Sequence, residues 1–222
     1  MDKAVLTRLK NAGLLSEQVP DMGFVSTGSY ALNKIISGDY TKGVPIGMIS
    51  QFHGEASTAK TVFGTHILKE AQSKGHYTMM VDSENAYNPE FAKHLGIDPS
   101  KLIYSAPETL EDCFQVIEDT ITSIRETDVD TPIVVVYDSI AVSPSKAEYE
   151  AEGYDGNNMQ GAIRAKSTGA CLRKINPLMR KHKVALVIIN QIRNKVGVMY
   201  GSPDTMAAGG KSLEYYLGVN LK

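Results

Sequence analysis

Two almost wholly apolar runs limit the fold of this chain more than any other feature. They are "PIVVVYDS" at residues 132–139 and "VALVIINQI" at residues 184–192. Strands without alternating polar side chains are typical of a parallel sheet that helices cover on both faces. A third strand, "GMISQFHG" at residues 47–54, is predicted to lead into a glycine-containing loop. The first expectation is therefore an α/β fold with a mainly parallel, twisted sheet flanked by helices.

Segments with helical periodicity separate these runs. Helices are predicted at 61–75, 88–96, 109–126 and 161–183, and further strands at 76–84 and 101–107. Strands that alternate with helices in this way indicate an α/β domain. Pro177 lies inside the last helical segment and is expected to bend or divide it, because proline removes a helix hydrogen bond.

Composition excludes several classes of protein. The formal net charge is −2 in 222 residues, so the basic excess of most nucleic-acid binders is missing and DNA contacts must come from a local patch. Two cysteines, Cys113 and Cys171, form no CxxC pair, which indicates a reducing, cytoplasmic location and no structural zinc. No apolar run approaches the ~18 residues of a membrane span, so we expect a soluble protein without a membrane partner.

The first 23 residues are predicted to be a separate N-terminal helix and linker. "MDKAVLTRLKNAG" has one apolar helical face, and "LLSEQVPDMG" contains the helix breakers of a linker. Such a helix either packs on its own domain or docks on a neighbouring copy as an oligomerisation arm, and the sequence leaves both alternatives open. Residues 24–222 are then expected to form the core domain.

The segment "HGEASTAKT", residues 53–61, resembles a phosphate-binding loop with one departure. Gly54, Lys60 and Thr61 match the spacing of Gly, four residues, Gly, Lys and Ser or Thr, but Ala59 replaces the second glycine. In such loops backbone N–H groups and a helix N-terminus surround phosphates, the lysine reaches the terminal phosphates and the hydroxyl binds Mg²⁺. The match alone fits a chance loop equally well.

Polar side chains at the ends of other strands favour the nucleotide interpretation. Asp138 ends "VVVYD", as in P-loop ATPases, where an aspartate holds the outer shell of the metal, although an aspartate that caps a strand end is also common. Glu84 ends the neighbouring strand and suits a carboxylate that orients an attacking water. Asn190 and Gln191 end the last apolar strand, where they can contact a γ-phosphate. Together these positions predict a site for ATP and Mg²⁺.

Six motifs extend the pattern over nearly the whole chain. They are "STGSYALNKIISG", "GEASTAKT", "DSENAYNPEFAKHLGID", "VVVYDSIAVSPSKAEYE", "NQIRNKVGVMYGSPDT" and "AAGGKSLEYY". In combination they resemble bacterial and phage RecA-type recombinases from about residue 25 to 222. The resemblance implies a RecA-type P-loop ATPase core and an ATP-dependent recombinase. Such a protein binds single-stranded DNA as a homo-oligomeric helical filament and pairs it with double-stranded DNA.

The resemblance also implies roles for individual residues of the nucleotide site. Lys60, Glu84 and Gln191 are the implied catalytic residues, with Gln191 as the γ-phosphate sensor. Phe91 stands where the family has a tyrosine that stacks on adenine. Thr61 is implied to bind Mg²⁺ directly and Asp138 through water. The implied cofactor-binding residues are Gly54, Glu55, Ala56, Ser57, Thr58, Ala59, Lys60, Thr61, Phe91 and Asp138.

Two DNA-binding loops follow from the same resemblance, one around "EAEGYDGNNMQG" and one from about residue 194 to 210. A glycine-rich loop with basic side chains can follow a phosphate backbone, and an apolar side chain can insert between bases. By composition alone, however, "LRKINPLMRKHK" also fits a solvated basic surface, and the first loop carries acidic residues. The implied DNA-binding residues are Met159, Arg164, Arg173, Arg193, Lys195, Val196, Gly197, Gly209 and Gly210.

Three departures from the family pattern weigh on this hypothesis. Ala59 adds a methyl group where the backbone approaches phosphate. If the backbone geometry there is ordinary for an L-residue, ATP binding is preserved. If that geometry needs glycine, the site no longer functions. The chain ends at "GVNLK", inside the expected core sheet and without the C-terminal domain of the family, so we expect either a truncated chain or a reduced natural recombinase. The N-terminal segment is also shorter than the polymerisation arm of the family, which weakens the expectation of a filament.

Two other functions compete with the recombinase. A non-hydrolysing RecA-like accessory or regulatory protein that binds nucleotide or DNA is favoured by Ala59 and by the early end of the chain. The retained Glu84 and the "NQIR" block oppose it. A hexameric helicase of related fold lacks support, because the block after Gln191 resembles the DNA loop of recombinases. Retained Lys60 and Thr61 favour an active, DNA-dependent ATPase.

Overall fold

A computed structural model describes residues 2–12, 21–151, 158–194, 205–207 and 212–222 of the chain. The strands are β1 (Phe24–Val25), β2 (Val44–Pro45), β3 (Ile49–Gly54), β4 (Tyr77–Asp82), β5 (Leu102–Ser105), β6 (Ile133–Asp138), β7 (Val184–Asn194), β8 (Thr205–Ala207) and β9 (Leu217–Leu221). The α-helices are α1 (Lys3–Asn11), α2 (Tyr30–Ser37), α3 (Lys60–Ser73), α4 (Pro89–His94), α5 (Leu110–Arg125), α6 (Lys146–Tyr149) and α7 (Asn158–Lys181). Short 3-10 helices cover Pro99–Lys101 and Leu213–Tyr216.

The main sheet has the strand order β5-β4-β6-β7-β3-β9, and neighbouring strands along this path are parallel. Strand β8 pairs with β7 in the antiparallel direction, and β1 pairs with β2 in a separate two-stranded sheet. The expected α/β fold with a mainly parallel sheet is thereby confirmed. Because parallel strands all point one way, their carboxyl ends meet at one edge of the sheet.

Strand β6 shows why the apolar runs have no polar alternation. All six of its residues are buried. Val135 and Tyr137 belong to a core cluster with helices α5 and α7, whereas Val134 and Val136 belong to a second cluster with helix α3. Successive side chains point to opposite faces, so a strand between two helical layers needs apolar residues at every position.

Helix α3 lies very close to the sheet at Gly64. A Cβ atom at this position would be 2.9 Å from Val136 Cγ1 and 3.1 Å from Ile189 Cδ1. Such distances are shorter than side chains normally tolerate, so the absent side chain sets the separation between helix and sheet. The start of α3, and with it the loop after β3, is thus held against the carboxyl ends of β6 and β7.

Helix α7 is continuous through Pro177, so the expected division of this segment is wrong. Leu172 and Ile175 before the proline, and Met179 after it, are buried. Packing on the sheet on both sides of Pro177 compensates for the helix hydrogen bond that a proline cannot donate.

The N-terminal helix is present as predicted, but it is little packed. None of the residues of α1 is buried, and Val5 is 46% exposed. Asp2 caps the helix by accepting a hydrogen bond from the backbone N–H of Ala4 at 3.0 Å. None of the helices in the described part of the chain combines the length and hydropathy of a membrane-spanning segment.

Candidate functional site

The predicted site residues lie at the carboxyl edge of the sheet. Gly54 ends β3, Asp138 ends β6, and Gln191 lies in the last part of β7. Glu84 follows β4 by two residues. This edge is where ligands bind in open α/β sheets, because loops and helix N-termini surround it.

The loop between β3 and α3 presents an uncapped helix N-terminus to this edge. Helix α3 begins at Lys60 after Ala59, and no side chain caps its first turn in the described structure. The first N–H groups of a helix have no partner within the helix, and they attract anions together with the helix dipole. The loop can therefore surround a phosphate group with backbone donors.

Ala59 adopts the left-handed backbone conformation, with φ 63° and ψ 19°. Ser57 in the same loop has a φ of 63° as well. An L-residue in this region costs about 1–2 kcal/mol, which glycine avoids. The geometry at Ala59 is thus the one that favours glycine, and the loop accommodates the methyl group at the cost of local strain.

The Lys60 ammonium lies over the loop. It donates hydrogen bonds to the Gly54 carbonyl at 3.1 Å, the Glu55 carbonyl at 2.6 Å and the Thr58 hydroxyl at 3.3 Å. These contacts place a positive charge beside the free N–H groups of α3. The site accordingly combines a cation with backbone donors, which suits a polyanionic ligand.

Thr61 and Asp138 form the contact that joins the loop to the sheet. The Thr61 hydroxyl donates to Asp138 Oδ2 at 2.6 Å. Burial raises the pKa of the Asp138 carboxyl to about 6, and the nearby carboxylates Glu84 and Asp82 add to the rise, while Thr61 and Lys60 oppose it. A hydroxyl and a carboxylate are oxygen ligands of the kind that Mg²⁺ prefers.

Glu84 and Gln191 contact each other across the edge of the sheet. Glu84 Oε1 accepts hydrogen bonds from Gln191 Nε2 at 2.9 Å and from the Ser139 hydroxyl at 2.6 Å. Ser139 was not predicted as a site residue. Its only signal in the sequence is its position directly after Asp138, because its contact with Glu84 depends on the pairing of β4 with β6.

One cavity of about 540 Å³ brings most of the predicted nucleotide-site residues together. Its lining residues are Ala56, Ser57, Thr58, Ala59, Lys60, Thr61, Val62, Glu84, Asp138, Ile189 and Gln191. Phe91 lies on helix α4, is 51% exposed and does not line this cavity. Within the described residues no three His, Cys, Asp or Glu side chains cluster as metal ligands.

The predicted DNA-binding residues are only partly within the described structure. Met159, Arg164 and Arg173 lie on α7, and Arg193 lies in β7. Arg173 is exposed, whereas Arg164 donates to the Ala141 carbonyl at 3.2 Å and has its Nε 3.9 Å from Glu148 Oε1. The remaining predicted residues are outside the described residues: Lys195, Val196, Gly197, Gly209 and Gly210.

Comparison with known proteins assigns the family. The family model of the RecA N-terminal domain matches residues 9–222 of the sequence. The protein RecA of Chlorobium chlorochromatii is 38% identical over 197 residues, which cover 89% of this chain and 52% of that protein. The RecA proteins of Symbiobacterium thermophilum and Brucella canis are 39% and 37% identical over 198 and 206 residues, which cover 53% and 54% of those proteins. The chain spans about half the length of these relatives, and it belongs to the RecA family.

Proposed function

We propose that the chain is an ATP-dependent DNA recombinase and a DNA-dependent ATPase. The observation that most supports this function is the convergence of two contacts at one cavity. Thr61 contacts Asp138 at one side, and Glu84 contacts Gln191 at the other, with Lys60 beside them. A fold alone does not define a function, but these side chains have the chemistry that phosphoryl transfer needs.

The loop residues Gly54 to Thr61 would hold the phosphates of ATP. Lys60 would exchange its carbonyl contacts for the β- and γ-phosphates, and the N–H groups at the start of α3 would donate to phosphate oxygens. Thr61 would bind Mg²⁺ directly and Asp138 through water. Bound Mg²⁺ neutralises the negative charge of the phosphates during transfer. Phe91 would stack on the adenine as the tyrosine of relatives does.

Glu84 is the proposed residue that orients the attacking water and accepts its proton. The Ser139 hydroxyl fixes its carboxylate through Oε1 at 2.6 Å, which leaves the second oxygen for water. The side-chain amide of Gln191 donates a hydrogen bond to the same Oε1 atom of Glu84. A γ-phosphate competes with Glu84 for the Gln191 amide, so ATP shifts the position of this side chain and of the residues that follow it.

Single-stranded DNA is the proposed partner of the segment after Gln191 and of α7, with Met159, Arg173, Arg193 and Lys195 as contacts. Homologous double-stranded DNA is the proposed pairing target, and copies of the chain form the proposed helical filament. We assign residues 1–23 to an oligomerisation arm and residues 24–222 to the ATPase core. A cytoplasmic location fits this role.

A non-hydrolysing RecA-like accessory protein is the second candidate function. The strained, left-handed Ala59 favours it, because a methyl group lies where the loop must approach phosphate. This candidate predicts binding of ATP or DNA without turnover.

Hydrolysis of ATP by the purified chain, with and without single-stranded DNA, distinguishes the two candidates. We expect a DNA-stimulated rate that falls at least about 100-fold in Lys60→Ala, because the variant lacks the cation at the phosphates. Lys69→Ala is the matched control, since Lys69 lies on the same helix and pairs with Glu70 at 2.8 Å. Absence of hydrolysis in the unmodified chain, with nucleotide and DNA binding intact, would overturn the recombinase in favour of the accessory protein.

A further inference from the structure

Three amide side chains form a continuous hydrogen-bonded row across strands β9, β3 and β7. Gln51 Nε2 donates to Asn220 Oδ1 at 3.0 Å, and Asn190 Nδ2 donates to Gln51 Oε1 at 3.0 Å. The backbone N–H of Gln191 then donates to Asn190 Oδ1 at 2.9 Å. We name Asn220, Gln51 and Asn190 the amide row.

The orientation of every amide in the row follows from one backbone group. The N–H of Gln191 can only donate, so it requires the oxygen of Asn190. The nitrogen of Asn190 therefore faces Gln51 and requires its oxygen, and the nitrogen of Gln51 faces the oxygen of Asn220. No amide in the row can rotate by 180° without opposing like atoms, so the row has a single direction.

Because two of its three amides are buried, the amide row lowers the stability of the fold unless each of their hydrogen bonds is formed. Gln51 is 1% exposed and Asn190 is 0% exposed. Buried amides without partners are strongly destabilising, whereas apolar residues of the same shape would fill the sheet without that penalty. Stability alone does not explain polar side chains here, which points to a role in orientation.

The amide row ends at Gln191, the residue proposed to contact the γ-phosphate. Asn190 holds the backbone of Gln191, and the side chain of Gln191 reaches Glu84 at 2.9 Å. We propose that Gln51 is a positioning residue, which acts through Asn190 to aim Gln191 at the γ-phosphate and which couples strand β9 to the nucleotide site through Asn220. This inference rests on the proposed function of Gln191.

The test compares Gln51→Met, which keeps the length of the side chain and removes its polar atoms, with Thr78→Val. Thr78 is 0% exposed in β4 and also loses two hydrogen bonds, one donated to the Lys101 carbonyl and one accepted from Gln72 Nε2, but it lies outside the row. Affinities for ADP and for a non-hydrolysable ATP analogue are measured for both variants. We expect Gln51→Met to lower the preference for the ATP analogue about fivefold, the factor that ~1 kcal/mol of coupling free energy represents, with ADP affinity unchanged.

A second readout does not depend on nucleotide. The side-chain amide resonances of Gln191, assigned from a Gln191→Ala spectrum, should shift in Gln51→Met and remain in place in Thr78→Val. If Gln51→Met does not fold, Asn220→Ala at an exposed position removes the far end of the row and should produce a smaller shift of the same kind. Equal behaviour of Gln51→Met and Thr78→Val in both measurements overturns the inference. An unmodified chain that does not distinguish the two nucleotides would instead refute the proposed role of Gln191, while the resonances still decide whether the row positions it.

Discussion

At the residue scale, Ala59 is the position where this chain departs from the phosphate-loop pattern. Its backbone lies in the left-handed region, with φ 63°. Of the two backbone geometries considered for Ala59, the structure has the left-handed one, which favours glycine but which alanine adopts here at a cost of about 1–2 kcal/mol. The neighbouring Lys60 and Thr61 nevertheless keep their contacts with the loop and with Asp138. The methyl group therefore strains the loop without displacing the groups that define the site.

Ala59→Gly should raise the free energy of unfolding by about 0.5–1 kcal/mol. Relief of about 1–2 kcal/mol of left-handed strain exceeds the ~0.5–1 kcal/mol that the greater freedom of unfolded glycine costs. Ala56→Gly in the same loop is the control, since its φ is not positive, and it should lower the free energy by about 0.5–1 kcal/mol. Urea denaturation measures both. Equal losses in the two variants would show that Ala59 is not strained.

The candidate site residues that the sequence could identify are those that belong to a motif with fixed spacing. Lys60 and Thr61 follow from the loop pattern, and Asp138 follows from its place at the end of an apolar strand. Ser139 and Gln51 could not be predicted as neighbours of the site, because their contacts with Glu84 and Asn190 depend on which strands pair and in which register. Local patterns contain no information of that kind.

At the scale of elements, helix α3 positions the site through its distance from the sheet. Gly64 faces Val136 and Ile189, and a Cβ atom there would meet both at 3.1 Å or less. The helix begins with Lys60 and Thr61 one turn earlier, so a displacement of the helix at Gly64 would move the side chains of both residues. Packing in the core and the geometry of the candidate site are linked at this glycine.

Gly64→Ala should destabilise the protein by about 1–2 kcal/mol. Overpacking against Val136 costs about 1–3 kcal/mol, and the ~1 kcal/mol gain in helix propensity offsets part of it. Gly161→Ala in α7 is the matched control, because no atom of the described residues lies within 4 Å of its added Cβ, and it should be neutral or stabilising by up to about 1 kcal/mol. Thermal unfolding of both variants measures the difference. Stabilisation by both substitutions would contradict close packing at Gly64.

The elements that the sequence predicted include the long ones and also the shorter α4 and β5. Apolar strands and the amphipathic helix at 109–126 were confirmed, because several residues contribute to each periodic pattern. The eight-residue helix α2 was not predicted. The strands β1 and β2 were not predicted either, since a pattern of two residues has no measurable period. Pro177 was expected to bend or divide α7, but it does not divide the helix, because burial on both sides of it outweighs the local preference.

At the scale of the whole molecule, the strand order explains why distant motifs form one site. Strand β3 lies between β7 and β9, and β6 lies between β4 and β7. The glycine loop is therefore next to Gln191, and Glu84 is next to Asp138, although more than 50 residues separate each pair along the chain. The sequence predicted a parallel sheet but not this order, because the order depends on long-range pairing that no local segment specifies.

The apolar residues of helix α1 are only partly covered by the rest of the chain, and this exposure leads to a prediction about self-association. None of the residues of α1 is buried, and Leu6 and Leu9 are only half-buried. Of the two alternatives for this helix, docking on a neighbouring copy fits these exposures better. A short amphipathic helix gains most of its stability from packing, so the partial exposure of its apolar face favours association.

Substitution of Leu6 and Leu9 by serine should therefore reduce self-association and leave the core intact. We expect sedimentation velocity at equal protein concentration to show smaller species than the unmodified chain forms. The free energy of unfolding should change by less than about 0.5 kcal/mol, because substitutions away from a packed core have little effect on stability. Thr7→Ser, between the two leucines, is the control and should sediment as the unmodified chain does. A loss of about 2 kcal/mol or more with unchanged sedimentation would instead indicate that α1 packs on its own domain, since that is the effect of removing buried leucine side chains.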